Sequence, residues 1–366
     1  MLAKITTFGV LLFMTLINTS IYADGKGSGC QRTARVMYQS CRAELAEESF
    51  EAVANCINEV DRRECRKDAR GDLKQNAAEC KQVREARHDA CHILDERAYR
   101  LDPLLDSEID FIDPDEVPDM YAPNPYVSIV AGHTYVLRAG EEEEELVIVH
   151  VTDEVREIQD VLCRIVVDIV VEVSTEDGAT EYEAVEVTQD WFAQDETGNV
   201  YYCGEIAQNF EDGVLRDLEG SFESGRDFAK AGILINAFPM VGEAHRSEFL
   251  LGDAEDIVRY EDLATNPTAD EGGENPAFPC GMTGCLKTFD FAPIDPESTE
   301  YKYYLPGTGF VLAVGMEDGE ITGEREELVC TGDSLDVLET PACDIDELPD
   351  LLDELCKLSP ETFCEE

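Results

Sequence analysis

The stretch LCRIVVDIVVEVSTEDGATEYEAVEVTQDWFAQDETGNVYYCGEI, residues 162–206, decides the fold class of this chain. It contains three runs rich in Val, Ile, Tyr and Thr, at 162–174, 182–193 and 200–206. Turn-forming residues separate these runs at 176–178 and again at 195–199. Such spacing is typical of antiparallel strands joined by hairpins.

The same pattern extends to both sides of this stretch. Strand-like runs precede it at 133–138 and 146–152, and others follow at 215–221, 247–251, 286–291, 300–305, 310–314 and 326–330. About ten consecutive strands with no helix between them predict a meander that curls into an open or closed barrel-like sheet. We assign residues 126–330 to this domain.

Six cysteines in the front segment, residues 24–101, form a symmetric pattern. The segment has a helical composition, and its cysteines lie at 30, 41, 56, 65, 80 and 91, with spacings of 11, 15, 9, 15 and 11. Steps of 11 and 15 rotate by only about 20° and 60° around a helix, so the cysteines share one face. The palindrome predicts an antiparallel helical hairpin that turns near 58–62 and has nested bridges Cys30–Cys91, Cys41–Cys80 and Cys56–Cys65. The alternative is that the match is accidental and the pairs cross.

The charge of the chain is distributed very unevenly. The 366 residues contain 81 acidic and 28 basic side chains, which gives a net charge of −53. Residues 24–100 carry 15 of each sign, whereas residues 101–366 carry 66 acidic and 12 basic side chains. A polyanion is repelled by phosphate, so we exclude sequence-independent binding to nucleic acid and to anionic membrane surfaces.

The ends of the chain and its cysteines indicate export. Residues 1–23 have the basic start and short apolar run of a signal peptide, so the protein is expected to be secreted or periplasmic. An oxidising compartment favours cysteine pairing, and we expect Cys163–Cys203 and Cys280–Cys285 in the sheet. Residues 102–125 are acidic and Pro-rich, as in a linker, and 331–366 form an acidic tail. The sequence leaves open how Cys330, Cys343, Cys356 and Cys364 pair.

Three segments resemble a broad group of exported bacterial proteins of unknown function. They are NPY at 124–126, DWFAQDETGNVYY at 190–202, and YKYYLPGTGFV at 301–311. Members share NPYFPL, DWFAQDxxGNVWYxGE and YYAPGVGxV segments, and some carry a Cys-bearing helical front piece. The resemblance covers most of residues 30–330 and implies a secreted β-meander, but no established activity. This chain departs from the group at Cys203, at Cys280 and in its Cys-rich tail.

Several groups of side chains are candidate metal ligands. Carboxylates suit Ca²⁺, and the weak candidates are Glu141, Glu142 and Glu143 in an acidic run and Asp113 and Asp115 in the linker. No EF-hand spacing is present, and a solvated anionic surface adapted to saline surroundings explains the same residues. His88 and His92 are four residues apart on a helix and could share a transition metal, although a solvated helix face is the commoner explanation.

An aromatic cluster and one serine motif complete the candidates. Trp191, Phe192, Tyr201 and Tyr202 lie on neighbouring strands and are either cross-strand core or the lining of a ligand pocket. The sequence GDSL at 332–335 matches a hydrolase nucleophile block, but no His follows it to act as the base. We therefore interpret this match as accidental.

Taken together, the sequence predicts an α+β protein with a disulfide-stapled antiparallel helical hairpin followed by a large antiparallel β-meander. We expect a non-catalytic role in binding or in cell-envelope structure, with an unknown protein or small ligand as partner. No cofactor is required by any motif, and binding of calcium or other divalent cations is compatible with the acidic clusters. Alternatives are a calcium-dependent binding protein, an extracytoplasmic hydrolase with an unrecognised carboxylate site, and a carrier of a small apolar ligand.

Overall fold

A computed structural model describes residues 28–140, 144–176, 179–211, 213–271, 277–317 and 319–364. The chain divides into two compact units, of which the first ends at Arg100 and the second comprises Leu101–Glu366. The predicted signal peptide and the run Glu141–Glu143 lie outside the described residues. None of the helices in the described part of the chain is long and apolar enough to cross a membrane.

The first unit is an antiparallel pair of long helices, α1 (Gly29–Asn58) and α2 (Arg62–Ile93). Ser28 caps α1, and the Asp61 side chain caps α2 by accepting from the backbone N–H groups of Arg63 and Glu64. The connection therefore falls where the palindrome predicts a turn. The disulfide-stapled helical hairpin expected from the sequence is confirmed.

Three nested disulfides join these helices. They are Cys30–Cys91, Cys41–Cys80 and Cys56–Cys65, the pairs that the palindromic spacing predicts. Besides cysteines, α1 buries only Ala34 and Leu45, and α2 buries only Arg87 and Ala90. The cystines therefore make up a large part of the buried core between the two helices.

The second helix is shorter than its composition suggests, because the helical pattern continues to Leu101 whereas α2 ends at Ile93. Asp95 adopts a left-handed backbone conformation with φ of +46°, which terminates the helix. The chain then passes close to the start of α1, where a side chain on Gly29 would lie 2.9 Å from Ala98 Cβ. Glycine at this position therefore permits the close approach.

The second unit is built on one 15-stranded antiparallel sheet. The strands are β1 (Thr134–Ala139), β2 (Glu144–Ile158), β3 (Val161–Glu176), β4 (Ala179–Gln194), β5 (Val200–Glu211), β6 (Val214–Asp217), β7 (Phe222–Glu223), β8 (Lys230–Ile235), β9 (Ala244–Arg246), β10 (Glu248–Phe249), β11 (Ile257–Thr265), β12 (Cys285–Ala292), β13 (Asp295–Leu305), β14 (Gly309–Glu317) and β15 (Glu320–Gly332). This confirms the predicted antiparallel β-meander.

The sheet curls until its two ends meet. Its strand order is β10-β8-β5-β4-β3-β2-β1-β15-β14-β13-β12-β11-β9, with β6 and β7 paired to β5. The terminal strands β9 and β10 are separated in sequence by Ser247 alone, so one chain segment pairs with β11 and then with β8. The result is a nearly closed, barrel-like sheet with an inner and an outer face.

The segment 102–125, predicted as a linker, lies in the second unit and packs against its sheet. It contains two short 3₁₀ turns, Pro103–Leu105 and Pro114–Glu116. Leu104, Ile112 and Val117 along it are each only 5% exposed. Ile112 and Val117 join a buried cluster with Tyr260 and Leu286, which gives the curled sheet an apolar floor at this end.

The acidic tail covers part of the outer face of the sheet. It forms a 3₁₀ turn (Leu335–Glu339) and the helices α3 (Leu348–Leu358) and α4 (Pro360–Phe363). Leu351 and Leu355 of α3 are fully buried in one cluster with Ile148 and Ile169 of the sheet. The tail therefore completes the hydrophobic core of the second unit.

Four further disulfides hold the second unit together. Cys163–Cys203 links β3 to β5 across β4, and Cys280–Cys285 closes a short loop, as expected from the sequence. The pairs that the sequence left open are Cys330–Cys343 and Cys356–Cys364. All 14 cysteines are therefore paired, which is typical of proteins that fold outside the reducing cytosol.

Candidate functional site

The inside of the curled sheet contains a cavity of about 1060 Å³. Leu234, Val258 and Tyr304 line it and also belong to the apolar cluster around Ile112 and Val117. The cavity therefore lies directly above the apolar floor contributed by segment 102–125. Its size corresponds to that of sites for small organic ligands, which bury most of their surface in one concave space.

The wall of this cavity is strongly acidic. Two cationic side chains, Lys302 and Arg325, line it, together with several aromatic and small residues. Nine carboxylates line it as well, namely Glu145, Glu205, Glu248, Asp256, Asp290, Asp295, Glu300, Glu324 and Glu326. Such an excess of one charge inside a protein is costly unless protons or bound cations neutralise it.

Strand register places these acids on the inner face. Asp190 on β4 is directly opposite Glu205 on β5, and Asp290 on β12 is opposite Glu300 on β13. Directly paired residues of antiparallel strands have their side chains on the same face of the sheet. Acids that are far apart in sequence therefore come together inside the unit.

A bulge at Gly204 brings a tyrosine to the same face. The register between β4 and β5 shifts between Trp191 and Phe192, and Gly204 has a φ of +150°. A Cβ on Gly204 would lie 2.5 Å from the carbonyl oxygen of Phe222, so only glycine fits without rearrangement. Tyr202 and Glu205 therefore both reach the cavity, although their spacing in a regular strand would place them on opposite faces.

Asp190, Tyr202 and Glu205 form a connected acid group. The Tyr202 hydroxyl contacts an Asp190 oxygen and lies 2.8 Å from Glu205 Oε2. Burial raises the pKa of Asp190 to about 6, and burial together with the Asp190 charge raises the pKa of Glu205 to about 9. Glu205 is therefore protonated at neutral pH, whereas Asp190 is mostly ionised.

A second group is centred on Lys302. Its ammonium nitrogen lies 2.8 Å from Glu300 Oε1 and 3.5 Å from Asp290 Oδ2. Burial opposes the charge of Lys302, but Glu300 and Asp290 outweigh it and raise the pKa of the lysine. Burial raises the pKa of Asp290 to about 6, although Lys302 acts in the opposite direction.

Three further acids, Glu326, Glu248 and Asp168, also retain protons more strongly than usual. Burial raises the pKa of Glu326 to about 7, and burial with the nearby Asp256 raises the pKa of Glu248 well above its usual range. Burial and the Asp190 charge raise the pKa of Asp168, a neighbour on β3, in the same way. The cavity thus holds more carboxyl groups than its own cations can neutralise.

The structure separates the four aromatic residues that the sequence grouped together. Trp191 is fully buried on the outer side, with the Arg156 guanidinium 4.0 Å from its ring centroid. Tyr201 donates to Asp195 Oδ2 at 2.8 Å. Phe192 packs against Tyr202, with ring centroids 4.9 Å apart, and of the four only Tyr202 lines the cavity.

The other candidate ligands do not converge on the cavity. Asp113 accepts from the backbone N–H of Asp115, and Asp115 Oδ1 lies 2.7 Å from Arg164 Nη2, so both have structural contacts. His88 is half-buried and His92 is exposed on α2, and burial and nearby arginines lower the pKa of His88. Within the described residues, no three or more His, Cys, Asp or Glu side chains are placed to hold a metal ion together.

The inner acids were not recognisable as a site from the sequence. One signal was present, because Asp168 interrupts an otherwise apolar run from Ile165 to Val171. The segments quoted for the family resemblance also contribute Asp190, Tyr202 and Lys302 to this region. Their convergence depends on the register and the bulge, which the sequence does not show.

Comparisons with known proteins do not assign a family. No family model matches the sequence, and no curated protein matches it. One similar solved structure is a protein from Bacteroides fragilis that is inferred to be exported and has a YmcC-like fold. It is 14% identical, covers 58% of this chain and 98% of its own, and has a TM-score of 0.29, too low to support a conclusion about this chain.

Proposed function

We propose that this chain is an exported, non-catalytic binding protein whose barrel-like sheet takes up a cationic organic ligand. The observation that carries this proposal is the cavity of about 1060 Å³ with nine carboxylates and two cationic side chains in its wall. A ligand with several positive charges would relieve the repulsion among these acids.

The raised pKa values support a cation over a neutral ligand. Glu205 and Glu326, with pKa values of about 9 and about 7, hold protons that a cation can replace. Each replacement exchanges one positive charge for another, so the cavity does not accumulate unbalanced negative charge. A neutral apolar ligand would instead cover carboxyl groups without satisfying their hydrogen bonds.

The export part of the proposal rests on other observations. The first 23 residues have the pattern of a signal peptide, and all 14 cysteines form disulfides. We propose the extracellular space or the periplasm as the working compartment. The helical hairpin would then act as a spacer or docking element for the binding domain.

Calcium is the inorganic alternative to an organic cation. It takes six to eight oxygen ligands at short distances, and the described residues contain no compact group of this kind. Diffuse binding of Ca²⁺ by the cavity acids is nevertheless compatible with the acidic wall. The titration below therefore includes it as a separate ligand.

Isothermal titration of the oxidised protein tests the proposal. The ligands are spermidine, 1,4-diaminobutane, CaCl₂ and the uncharged 1,4-butanediol, all at matched ionic strength in NaCl. We expect saturable binding of the two amines and none of the diol. Binding of the diol with equal affinity, or of no amine at all, would contradict the proposal.

A pair of variants assigns the binding to the cavity. Glu326→Gln removes one wall carboxylate and should weaken amine binding about tenfold, the effect of about 1.4 kcal/mol between unit charges some 12 Å apart at an effective dielectric of about 20. Glu181→Gln changes an exposed carboxylate outside the cavity wall and should leave the affinity within about twofold. Equal effects of the two changes would locate the binding on the general acidic surface instead.

A further inference from the structure

The group formed by Asp190, Tyr202 and Glu205 is short of hydrogens. The single hydroxyl hydrogen of Tyr202 can be donated to one carboxylate only, yet its oxygen contacts both acids. The arrangement is satisfied when Glu205 carries a proton and donates it to the Tyr202 oxygen. Tyr202 then donates its own hydrogen to the Asp190 carboxylate.

The surroundings of this group supply further acceptors. Asp168 Oδ1 is buried and has no hydrogen-bond partner among the described residues. The charged groups that act on Glu205 or respond to it are all acids, from β3, β4 and β10: Asp168, Glu186, Asp190 and Glu248. Three of these residues face the cavity, namely Tyr202, Glu205 and Glu248. A ligand bringing N–H donors and positive charge would therefore meet the carboxyl groups of Glu205 and Glu248 and the Tyr202 oxygen at the cavity wall.

We propose that this position binds an alkylammonium group, R–NH₃⁺, which replaces the proton shared between Glu205 and Tyr202. The inference rests on the proposed function and names the chemical class that the cavity selects. On binding, the Glu205 proton leaves to solvent, and the ammonium donates to the Glu205 carboxylate and to the Tyr202 oxygen. The hydrogen bond from Tyr202 to Asp190 remains in place. One proton is released for each ligand bound, and the charge of the site does not change.

The geometry favours an ammonium over other cations. A metal ion needs several ligands around one point, and the described residues offer no such group of His, Cys, Asp or Glu. A quaternary ammonium has charge but no N–H to donate, so the acceptors would remain unmet. The Tyr202 ring and the Leu234 side chain line the same cavity and provide apolar surface for the alkyl chain of a primary amine.

Proton release measured with the wild-type protein tests this inference. Binding of n-butylamine is titrated at pH 7.5 in phosphate and in HEPES, which is not a primary amine and has a different ionisation enthalpy, so that the difference in heat gives the number of protons released. We expect close to one proton per ligand. The affinity should rise about tenfold for each pH unit between about 6.5 and 8.5, as linkage to one released proton requires.

Two variants and one competing cation locate the exchange. Glu205→Gln, which imitates the protonated acid in size and hydrogen bonding, should abolish both the proton release and the pH dependence. Glu181→Gln removes an exposed carboxylate outside the cavity wall and should retain both. Tetramethylammonium should bind at least tenfold more weakly than n-butylamine. Circular dichroism and the thermal midpoint establish that each variant is folded.

The outcomes separate this inference from the proposed function. Three results would overturn the inference and leave the acidic cavity as a cation site. They are amine binding without proton release, an amine affinity that still depends on pH in Glu205→Gln, and tetramethylammonium binding as tight as that of n-butylamine. Saturable binding of CaCl₂ alone would likewise overturn it. If none of these cations binds, the proposed function fails as well.

Discussion

Lys302 shows how a single residue balances the cavity wall. Its ammonium lies between Glu300 and Asp290, while its own side chain is 30% exposed and that of Asp290 is 14% exposed. The lysine therefore neutralises Asp290, which has little access to bulk water. Removing one member of such a group leaves the others unpaired, which costs more than the pair contributes when intact.

Replacement of Lys302 should accordingly destabilise the second unit in a pH-dependent way. Lys302→Met leaves two facing carboxylates and should lower the free energy of unfolding by about 2 kcal/mol at pH 8. The loss should be smaller at pH 5, because Asp290, with a pKa of about 6, then takes up a proton. Urea unfolding followed by the fluorescence of Trp191, the single tryptophan of the chain, measures both values.

Lys357→Met provides the matched control for this substitution. The Lys357 side chain is 69% exposed and pairs with Glu354 on the surface of α3. Its loss should change the free energy of unfolding by less than about 0.5 kcal/mol at either pH. A loss for Lys302→Met that is equal at pH 5 and pH 8 would contradict the role assigned to Asp290.

At the scale of elements, disulfides stabilise the helical hairpin, and the C-terminal tail supplies part of the apolar core of the sheet. The hairpin has long helices but few buried side chains besides its cystines. The sheet, by contrast, obtains part of its core from the tail, whose residues come last in the sequence. Each of these features makes a specific stability prediction.

Removal of the middle bridge should weaken the hairpin markedly. Cys41 and Cys80 are 39 residues apart, and a loop of this length, shortened by the flanking bridges, predicts a loss of about 3 kcal/mol. In the double variant Cys41→Ala/Cys80→Ala, α1 and α2 should therefore unfold at a lower urea concentration, which circular dichroism at 222 nm measures. Cys356→Ala/Cys364→Ala removes a bridge of 8 residues in the tail and should leave the dichroism of α1 and α2 unchanged. The same shift in both variants would contradict this account.

Truncation of one tail leucine should destabilise the sheet. Leu351 is fully buried between α3 and the outer face of the sheet. Leu351→Ala should lower the free energy of unfolding by about 3 kcal/mol through lost burial and the remaining cavity. Leu218→Ala, at a position that is 51% exposed, should change it by less than about 0.5 kcal/mol. Tryptophan fluorescence in urea compares the two, and equal small effects would mean that the tail does not contribute to the core.

The elements also show which features a sequence can and cannot reveal. The hairpin was predictable because equal cysteine spacings on two helices leave one nested pairing, and strands were predictable from alternation and turns. The bulge at Gly204 was not, because it depends on the close approach of Phe222 from another strand. The grouping of Asp190 with Glu205 follows from that bulge and the register. Of the four aromatic residues that the sequence grouped together, Tyr202 alone lines the cavity.

At the scale of the whole molecule, the net charge of −53 is only partly a surface property. Part of the acidic excess faces inward, where burial rather than solvent governs its ionisation. Carboxyl groups with raised pKa values bind protons more tightly in the folded than in the unfolded chain. Their contribution to stability is therefore fully present below the unfolded pKa of about 4 and is lost as pH rises through the folded value.

The stability of the second unit should consequently decrease as pH rises from 5 to 9. The folded pKa values are about 6 for Asp190 and Asp290, about 7 for Glu326 and about 9 for Glu205, so the losses extend across this window. Buried histidines act in the opposite direction, but only at lower pH. Burial lowers the pKa values of His150 and His245 to about 4, so each destabilises the fold as pH falls from about 6.5 towards 4.

The thermal midpoint of the Trp191 fluorescence transition, measured from pH 5 to pH 9 at fixed ionic strength, tests this balance. We expect a decline across this range, because between pH 5 and 6.5 the two histidines offset only part of the loss from the four acids. Glu326→Gln should reduce the decline between pH 5 and 7, because it removes a group whose folded pKa is about 7, whereas the exposed Glu181→Gln should not. A midpoint that is constant or rises from pH 6.5 to 9 would show that the inner acids are solvated like surface groups. In that case the cavity would have no surplus of protons for a cation to replace.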